Sequence, residues 1–306
     1  MSIRLGSAPD SWGIWFASDP RQIEWPQFLD ELAEAGYEWM ELGPYGYLPT
    51  DVQSLSSELE KRGLRAIGSF VQAPLENPDV WPSLESQLRR LGEVLAPLNA
   101  RYVALIDEFY SDMLTGAAVA PRELDEDGWR RLIDTTHRSV EFVRKNFGLR
   151  LVFHPHADTH VESEEQVERF LSETDPGAVS LCLDTGHYEY RGGDSVALYR
   201  RHPDRVEYIH LKTVNRAVRR QKVETENAPF AAAVAEGVFC EPQLGTVDFA
   251  ALARELESAK YDGWVIVEQD MFPALPGKAL PIAKRTCDYF RNLGFTTRAG
   301  QTTSGA

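Results

Sequence analysis

The chain has 306 residues, with 32 Lys and Arg against 47 Asp and Glu, a formal net charge of −15 and a pI near 5.0. Such an excess of negative charge repels a phosphate backbone, and "RAVRRQK" at 216–222 is the one basic cluster that stands out, so no nucleic-acid partner is expected. Three widely spaced cysteines, Cys182, Cys240 and Cys287, fit neither a disulfide framework nor a thiolate zinc site, and two of them read as small packed hydrophobes. No run approaches the roughly 18 apolar residues of a membrane span, and the first residues lack a signal-peptide core; a cytoplasmic protein is expected.

Taken in chain order, short apolar runs alternate with stretches of helical period. "IRLGSAP" (3–9) reads as a strand and "WPQFLDELAEAG" (25–36) as a helix, followed by the strands "WMELGPY" (39–45) and "LRAIGSFV" (64–71). A helix at 83–98 precedes the strand "RYVALID" (101–107), and a helix at 134–148 precedes "LRLVFHPH" (149–156). The strands "VSLCLDTGH" (179–187) and "VEYIHLK" (206–212), a helix at 247–259 and the strand "WVIVEQD" (264–270) complete the pattern. Asp, Ser or Thr often opens the helices, and Gly or Asn often closes them.

Eight alternations predict a parallel sheet closed into a (β/α)₈ TIM barrel, a single domain over 1–295. An open doubly wound sheet also alternates in this way, but no glycine-rich nucleotide fingerprint follows the first strand. Residues 108–124 and 213–245 are long βα-loop insertions, read as lids over the barrel mouth or as subunit contacts. The polar segment 296–306 is expected to form a flexible C-terminal tail.

In a parallel barrel all strand ends converge on one mouth, so polar residues closing different strands become neighbours. Those residues are Glu41, His154, His156, Asp184, His187, His210, Lys212 and Glu268. His154 and His156 are two apart and point the same way on an extended strand, with Pro155 fixing the backbone between them. Asp184, His210 and Glu268 each end an apolar strand, where an isolated charge is costly to desolvate and a divalent cation would offset the cost. Imidazoles and carboxylates without thiolate suit Mn²⁺, Co²⁺, Fe²⁺, Zn²⁺ or Mg²⁺.

Each of these residues also has a structural reading. A single strand-end His is often hydrogen-bonded packing, and a lone Asp or Glu can cap the next helix. Four histidines and two carboxylates on four consecutive strands favour a site. His137, inside a helical pattern, and His202, before Pro203, read as surface or packing residues. His160 reads equally as a loop contact or as a residue reaching the mouth. Glu162, Glu164 and Glu165 read as decoration of a helix N-terminus. Trp12, Trp15 and Phe16 read as pocket wall or core.

"LCLDTGH", "GGDSVALYRRHPDRVEYIHLK" and "VIVEQD" resemble the sugar phosphate isomerase/epimerase superfamily, the xylose isomerase-like TIM barrels. The resemblance spans 3–293 and is most specific over 149–270. The opening "APDSWGIWF" with "AGYEWMELGPYGYLPTD" is most similar to the branch that holds inosose dehydratase and the metal-dependent subunit of C-glycoside deglycosidases. It implies a divalent metal, Mn²⁺ first, held by His154, Asp184, His210 and Glu268, with His187 facing the substrate. The epimerases usually carry Glu where this chain has His154, which argues against a two-carboxylate epimerase mechanism and leaves His154 or His156 as the fifth-strand ligand.

The expected chemistry is enolisation of a sugar or cyclitol ketone next to the cation. A neutral imidazole from the 154/156 pair or His187 suits the base, and Lys212 suits the developing oxyanion. Loss of a β-leaving group then gives a lyase acting on a keto-sugar or inosose, and reprotonation elsewhere gives the alternative, a metal-dependent isomerase or epimerase. The resemblance also implies an oligomer; a deglycosidase would need a second, different subunit.

Overall fold

The computed structural model describes residues 3–275 and 277–297. Eight parallel strands pair in sequence order and close on themselves: β1 (Arg4–Ser7), β2 (Trp39–Glu41), β3 (Arg65–Ala73), β4 (Tyr102–Asp107), β5 (Arg150–Phe153), β6 (Ser180–Asp184), β7 (Val206–Leu211) and β8 (Trp264–Val267), with β8 hydrogen-bonded to β1. The helices between them are α1 (Trp25–Glu34), α2 (Val52–Glu60), α3 (Trp81–Leu95), α4 (Glu126–Phe147), α5 (Glu164–Glu173), α6 (Thr185–Tyr190), α7 (Ser195–Arg201), α8 (Arg216–Val218), α9 (Phe230–Ala235), α10 (Phe249–Ser258) and α11 (Ala279–Asn292). The expected (β/α)₈ barrel is the observed fold.

Helix ends follow from local chemistry. Asp51, Asp125, Asp194 and Asp248 each accept a backbone N–H with the side chain, and Ser163 with Gln166 forms a reciprocal capping box at α5. Each such cap satisfies N–H groups that have no partner inside the helix. α4 begins eight residues before the expected 134, at the Asp125 cap, and ends at Gly148, whose φ of 69° suits glycine.

Strand residues alternate between two cores. One set, including Leu5, Met40, Val103, Leu151, Leu183 and Ile209, packs outward against the helices. The other fills the barrel interior with Ala8, Ile67, Tyr102, Ala104, Val152, Cys182, Tyr208, Trp264 and Ile266. There the Tyr102 and Tyr208 rings stack at 4.5 Å, so the interior is a packed plug and the site can form only above it.

The two insertions pack together over the mouth. Met113 accepts from the Ala231 backbone N–H, and Phe230, Val234, Val238, Phe239, Phe272 and Trp15 form a separate apolar cluster. Thr296, at the start of the expected tail, is bridged to Arg4; residues 298–306 lie outside the described residues.

Candidate active site

β5 stops at Phe153, so His154 and His156 stand just beyond it. His154 is buried, and its backbone N–H still pairs with Leu105. Asp184 and His210 face each other in register across β6 and β7. Glu268 directly follows β8, its N–H bonded to Leu211. One ligand atom from each of His154, Asp184, His210 and Glu268 lies within 4.8 Å of the other three, and all four residues are buried.

The contacts inside this cluster define which atoms face inward. His154 Nε2 is 3.2 Å from His210 Nδ1 and 3.6 Å from Asp184 Oδ2, and His210 Nδ1 is 3.1 Å from Glu268 Oε2. On its other side His210 Nε2 donates to Glu41 Oε1 at 3.0 Å. Because that carboxylate holds the Nε2 proton, Nδ1 is the ring nitrogen that faces the cluster. Asp184 divides its labour in the same way: Oδ1 accepts the Gly186 and His187 N–H groups at the start of α6, each at 2.8 Å, while the buried Oδ2 turns to the cluster, 3.2 Å from Lys212 Nζ and 3.6 Å from His154 Nε2.

Lys212 is buried among carboxylates, its Nζ 2.7 Å from Asp270 and 3.2 Å from both Asp184 and Glu268. It also donates to His187 Nε2 at 2.9 Å. The glycine of "DTGH" makes room for it, since a Cβ on Gly186 would meet Lys212 Cγ at 2.4 Å.

The charges follow from these neighbours. Burial alone would raise the Asp184 carboxyl, but Lys212 and the surrounding imidazoles hold it well below the usual range. Glu268 is likewise opposed by burial and brought to about 2 by His210 and Lys212. Burial disfavours charge on His210, yet Cys182, Glu268 and Glu41 outweigh it and raise the imidazole well above its usual value. Negative surroundings therefore hold positive charge at this point. Burial, with His154 and Lys212 nearby, drops His156 to about 3, and burial with His156 and Lys212 keeps His187 far below its usual range. Both rings are neutral at pH 7.

The mouth is lined by these groups together with Asp10, Trp15, Phe70, Gln72, Ile106, Phe109, Met113, Phe230 and Asp270. His156 and His187 lie ring to ring at 3.6 Å under Phe230. Sequence reasoning missed Asp270, which continues the spacing of two from Glu268, and Asp10, which directly follows the first apolar run. Phe230 carries no local signal, because only the folding of the insertion brings it to the mouth.

Of the two readings of His160 the loop contact is the observed one: its Nδ1 is 2.6 Å from Asp107 Oδ2 and its Nε2 is 3.0 Å from the Pro121 carbonyl, so it ties down the 108–124 insertion. One expectation is corrected. Glu162 does not decorate a helix end: it is buried, and takes bonds from Arg191, Arg122 and Tyr110. Trp12 packs in the core against Phe28, Trp15 lines the mouth, and Phe16 packs on Phe272. Half-buried His137 bonds Ile133, and His202 pairs with Glu168.

A closed parallel barrel with imidazoles and carboxylates converging at the C-terminal mouth defines an enzyme-type TIM barrel. Residues 29–293 match the family model described as xylose isomerase-like TIM barrel, and the chain belongs to that family. It is 33% identical over 286 residues to the inosose dehydratase of Geobacillus kaustophilus (strain HTA426), covering 89% of each chain. It is 35% identical over 283 residues to the rhizopine catabolism protein MocC of Rhizobium meliloti, covering 89% of this chain and 83% of that protein. Among solved structures, the IolI protein with a bound zinc atom superposes with a TM-score of 0.70 at 13% identity, over 95% of this chain and 98% of that one.

Proposed function

We propose that this protein is a lyase that removes water from an inosose-type keto-cyclitol with the help of a divalent cation held by His154, Asp184, His210 and Glu268. The observation that carries the reading is the convergence of those four ligand atoms within 4.8 Å at the barrel mouth. The identity to inosose dehydratases over most of the chain supports the choice of substrate. The donor set fits a cation on the chain's own terms: two buried carboxylates, Asp184 and Glu268, meet two imidazoles there, and Glu41 holds His210 Nε2 so that Nδ1 turns inward. Two imidazoles and two carboxylates suit Mn²⁺, our first choice, and also Co²⁺, Fe²⁺ or Zn²⁺. The similarly shaped IolI barrel is itself a zinc-binding protein, which is in keeping with this reading. When bound, the ion would polarise the substrate ketone and acidify the neighbouring C–H.

The chain's residues divide the remaining work. His156 Nδ1 donates to the Ala157 carbonyl at 2.7 Å, which leaves the Nε2 lone pair free; burial keeps this ring neutral and a weak base, and it is assigned the α-proton on its geometry. The equivalent lone pair on His187 is already engaged by Lys212, so His187 is assigned to hold Lys212 and pack against the substrate ring. The Lys212 ammonium places positive charge next to the developing enolate oxygen. Burial, with Glu268 and Asp270 nearby, raises the Asp10 carboxyl well above its usual range, which suits it to protonate the departing hydroxyl. Phe230 and Phe109 cover these groups and limit water. A 3-keto-glycoside would lose its aglycone through the same two proton transfers and is the second substrate class to assay.

The test is to follow an inosose by proton NMR in D₂O with manganese-loaded enzyme. Loss of the α-proton with formation of the dehydrated diketone at the same rate supports the reading. Exchange of the α-proton without elimination would replace it with the isomerase or epimerase alternative.

A further inference from the structure

Directly beneath the four proposed ligands, the barrel interior holds another atom able to bind a metal. Cys182 lies two residues before Asp184 on β6, so its side chain points the same way, one layer deeper. It is fully buried beside Ala104, Val152 and Tyr208, its register partner on β7. Its Sγ and one ring nitrogen from each of His154 and His210 all lie within 4.8 Å of one another. Two donor sets therefore share the same two imidazoles. The upper set adds two carboxylate oxygens and opens to the mouth; the lower adds one sulfur and faces the packed plug.

The lower layer is not wholly apolar: the buried Tyr208 hydroxyl lies against the Glu41 carboxylate, which also accepts from His210. Cys182 is the one thiol so placed: among the described residues, the metal-capable groupings include neither half-buried Cys240 nor Cys287.

We propose that the centre sorts cations by softness, with the Cys182 thiolate joining His154 and His210 around a soft ion such as Co²⁺, Zn²⁺ or Cd²⁺, while Mn²⁺ and Mg²⁺ stay with Asp184 and Glu268. This rests on the metal reading of the site given above. Thiolate is a soft donor and carboxylate a hard one, so the two sets compete differently for each ion. On binding, the S–H bond breaks, a sulfur–metal bond forms, and the proton leaves to solvent without change of oxidation state; a coordinating thiol is deprotonated outright. An ion drawn toward the plug lies further from the substrate, so soft metals should bind tightly and support less turnover.

The experiment is a Co²⁺ titration of the full-length, chelator-dialysed protein, read by absorbance. A near-ultraviolet sulfur-to-cobalt charge-transfer band that saturates at one equivalent in wild type, persists in Cys240→Ala and Cys287→Ala, and vanishes in Cys182→Ala is the expected result. Wild type and the two retained variants decide the assignment even if Cys182→Ala fails to fold. A companion competition titration should show the preference for Zn²⁺ over Mn²⁺ falling by about tenfold or more in Cys182→Ala, at least the effect of losing an outer-sphere partner. Visible cobalt bands at one equivalent without the charge-transfer band would overturn the role of Cys182 and leave the four-ligand site standing. No binding of Co²⁺ or Mn²⁺ would overturn both.

Discussion

Glu41→Gln isolates one contact that sets the geometry of the whole site. Glu41 is 2% exposed, and its carboxylate accepts the Nε2 proton of His210 at 3.0 Å. Glutamine keeps the shape but removes the charge, and its amide can present either oxygen or nitrogen to the ring. A hydrogen bond to a charged group contributes about 1.5–3 kcal/mol. Converted at about 1.4 kcal/mol per tenfold, that is a loss of roughly 10- to 100-fold in ion affinity, the range found when an outer-sphere partner of a ligating histidine is removed. Mn²⁺ affinity measured by competition with a chromophoric chelator should fall by that amount, while thermal unfolding of the metal-free protein changes little. Affinity within about threefold of wild type would refute the claim that Glu41 orients His210, since the energetic range above leaves no room for so small an effect.

Other consequences follow from the same geometry. His156→Gln should lower kcat by about 10²- to 10⁴-fold with bound metal unchanged, as expected for loss of a general base; steady-state kinetics with metal analysis checks both. Phe230→Ala should raise KM for the substrate more than it lowers kcat, because the ring covers His156 and His187 but holds no reacting atom. Phe153→Ala removes a fully buried ring stacked at 4.0 Å on Phe170 and should cost about 3–5 kcal/mol in denaturant unfolding. Burial opposes charge on His160, but the Asp107 carboxylate outweighs it and raises the imidazole above its usual value. That stabilisation is complete below the unfolded-state value near 6.5 and lost as pH rises through the higher folded one, so the stability gap between wild type and His160→Gln should be full at mildly acid pH and shrink as pH rises above about 6.5.

The barrel was legible because period-2 apolar runs and helical stretches alternate eight times, a local signal that survives without knowledge of contacts. Four proposed ligands were legible for a related reason: in a closed parallel barrel, ending a strand is enough to place a side chain at the mouth. Glu41 was visible as a strand end, but its bond to His210 was not, because the closure that brings β2 and β7 to one site is long-range. Phe230 and the burial of Glu162 depend on how the two insertions fold over the mouth, and insertions lack the period that made the strands readable. Two of the three cysteines read as small hydrophobes, and the burial of Cys182 fits that reading; only the layering of the interior shows that it stands beneath the ligand cluster.

The central claim is that four strand-end side chains hold one divalent ion. Metal content of the purified protein by inductively coupled plasma mass spectrometry, on wild type beside Asp184→Ala and His210→Ala, tests it most directly. The account predicts close to one equivalent of a first-row divalent ion in wild type after Mn²⁺ incubation and desalting, and its loss in both variants while they remain folded. A wild-type protein that retains no metal under those conditions, or folded variants that retain as much as wild type, would contradict it.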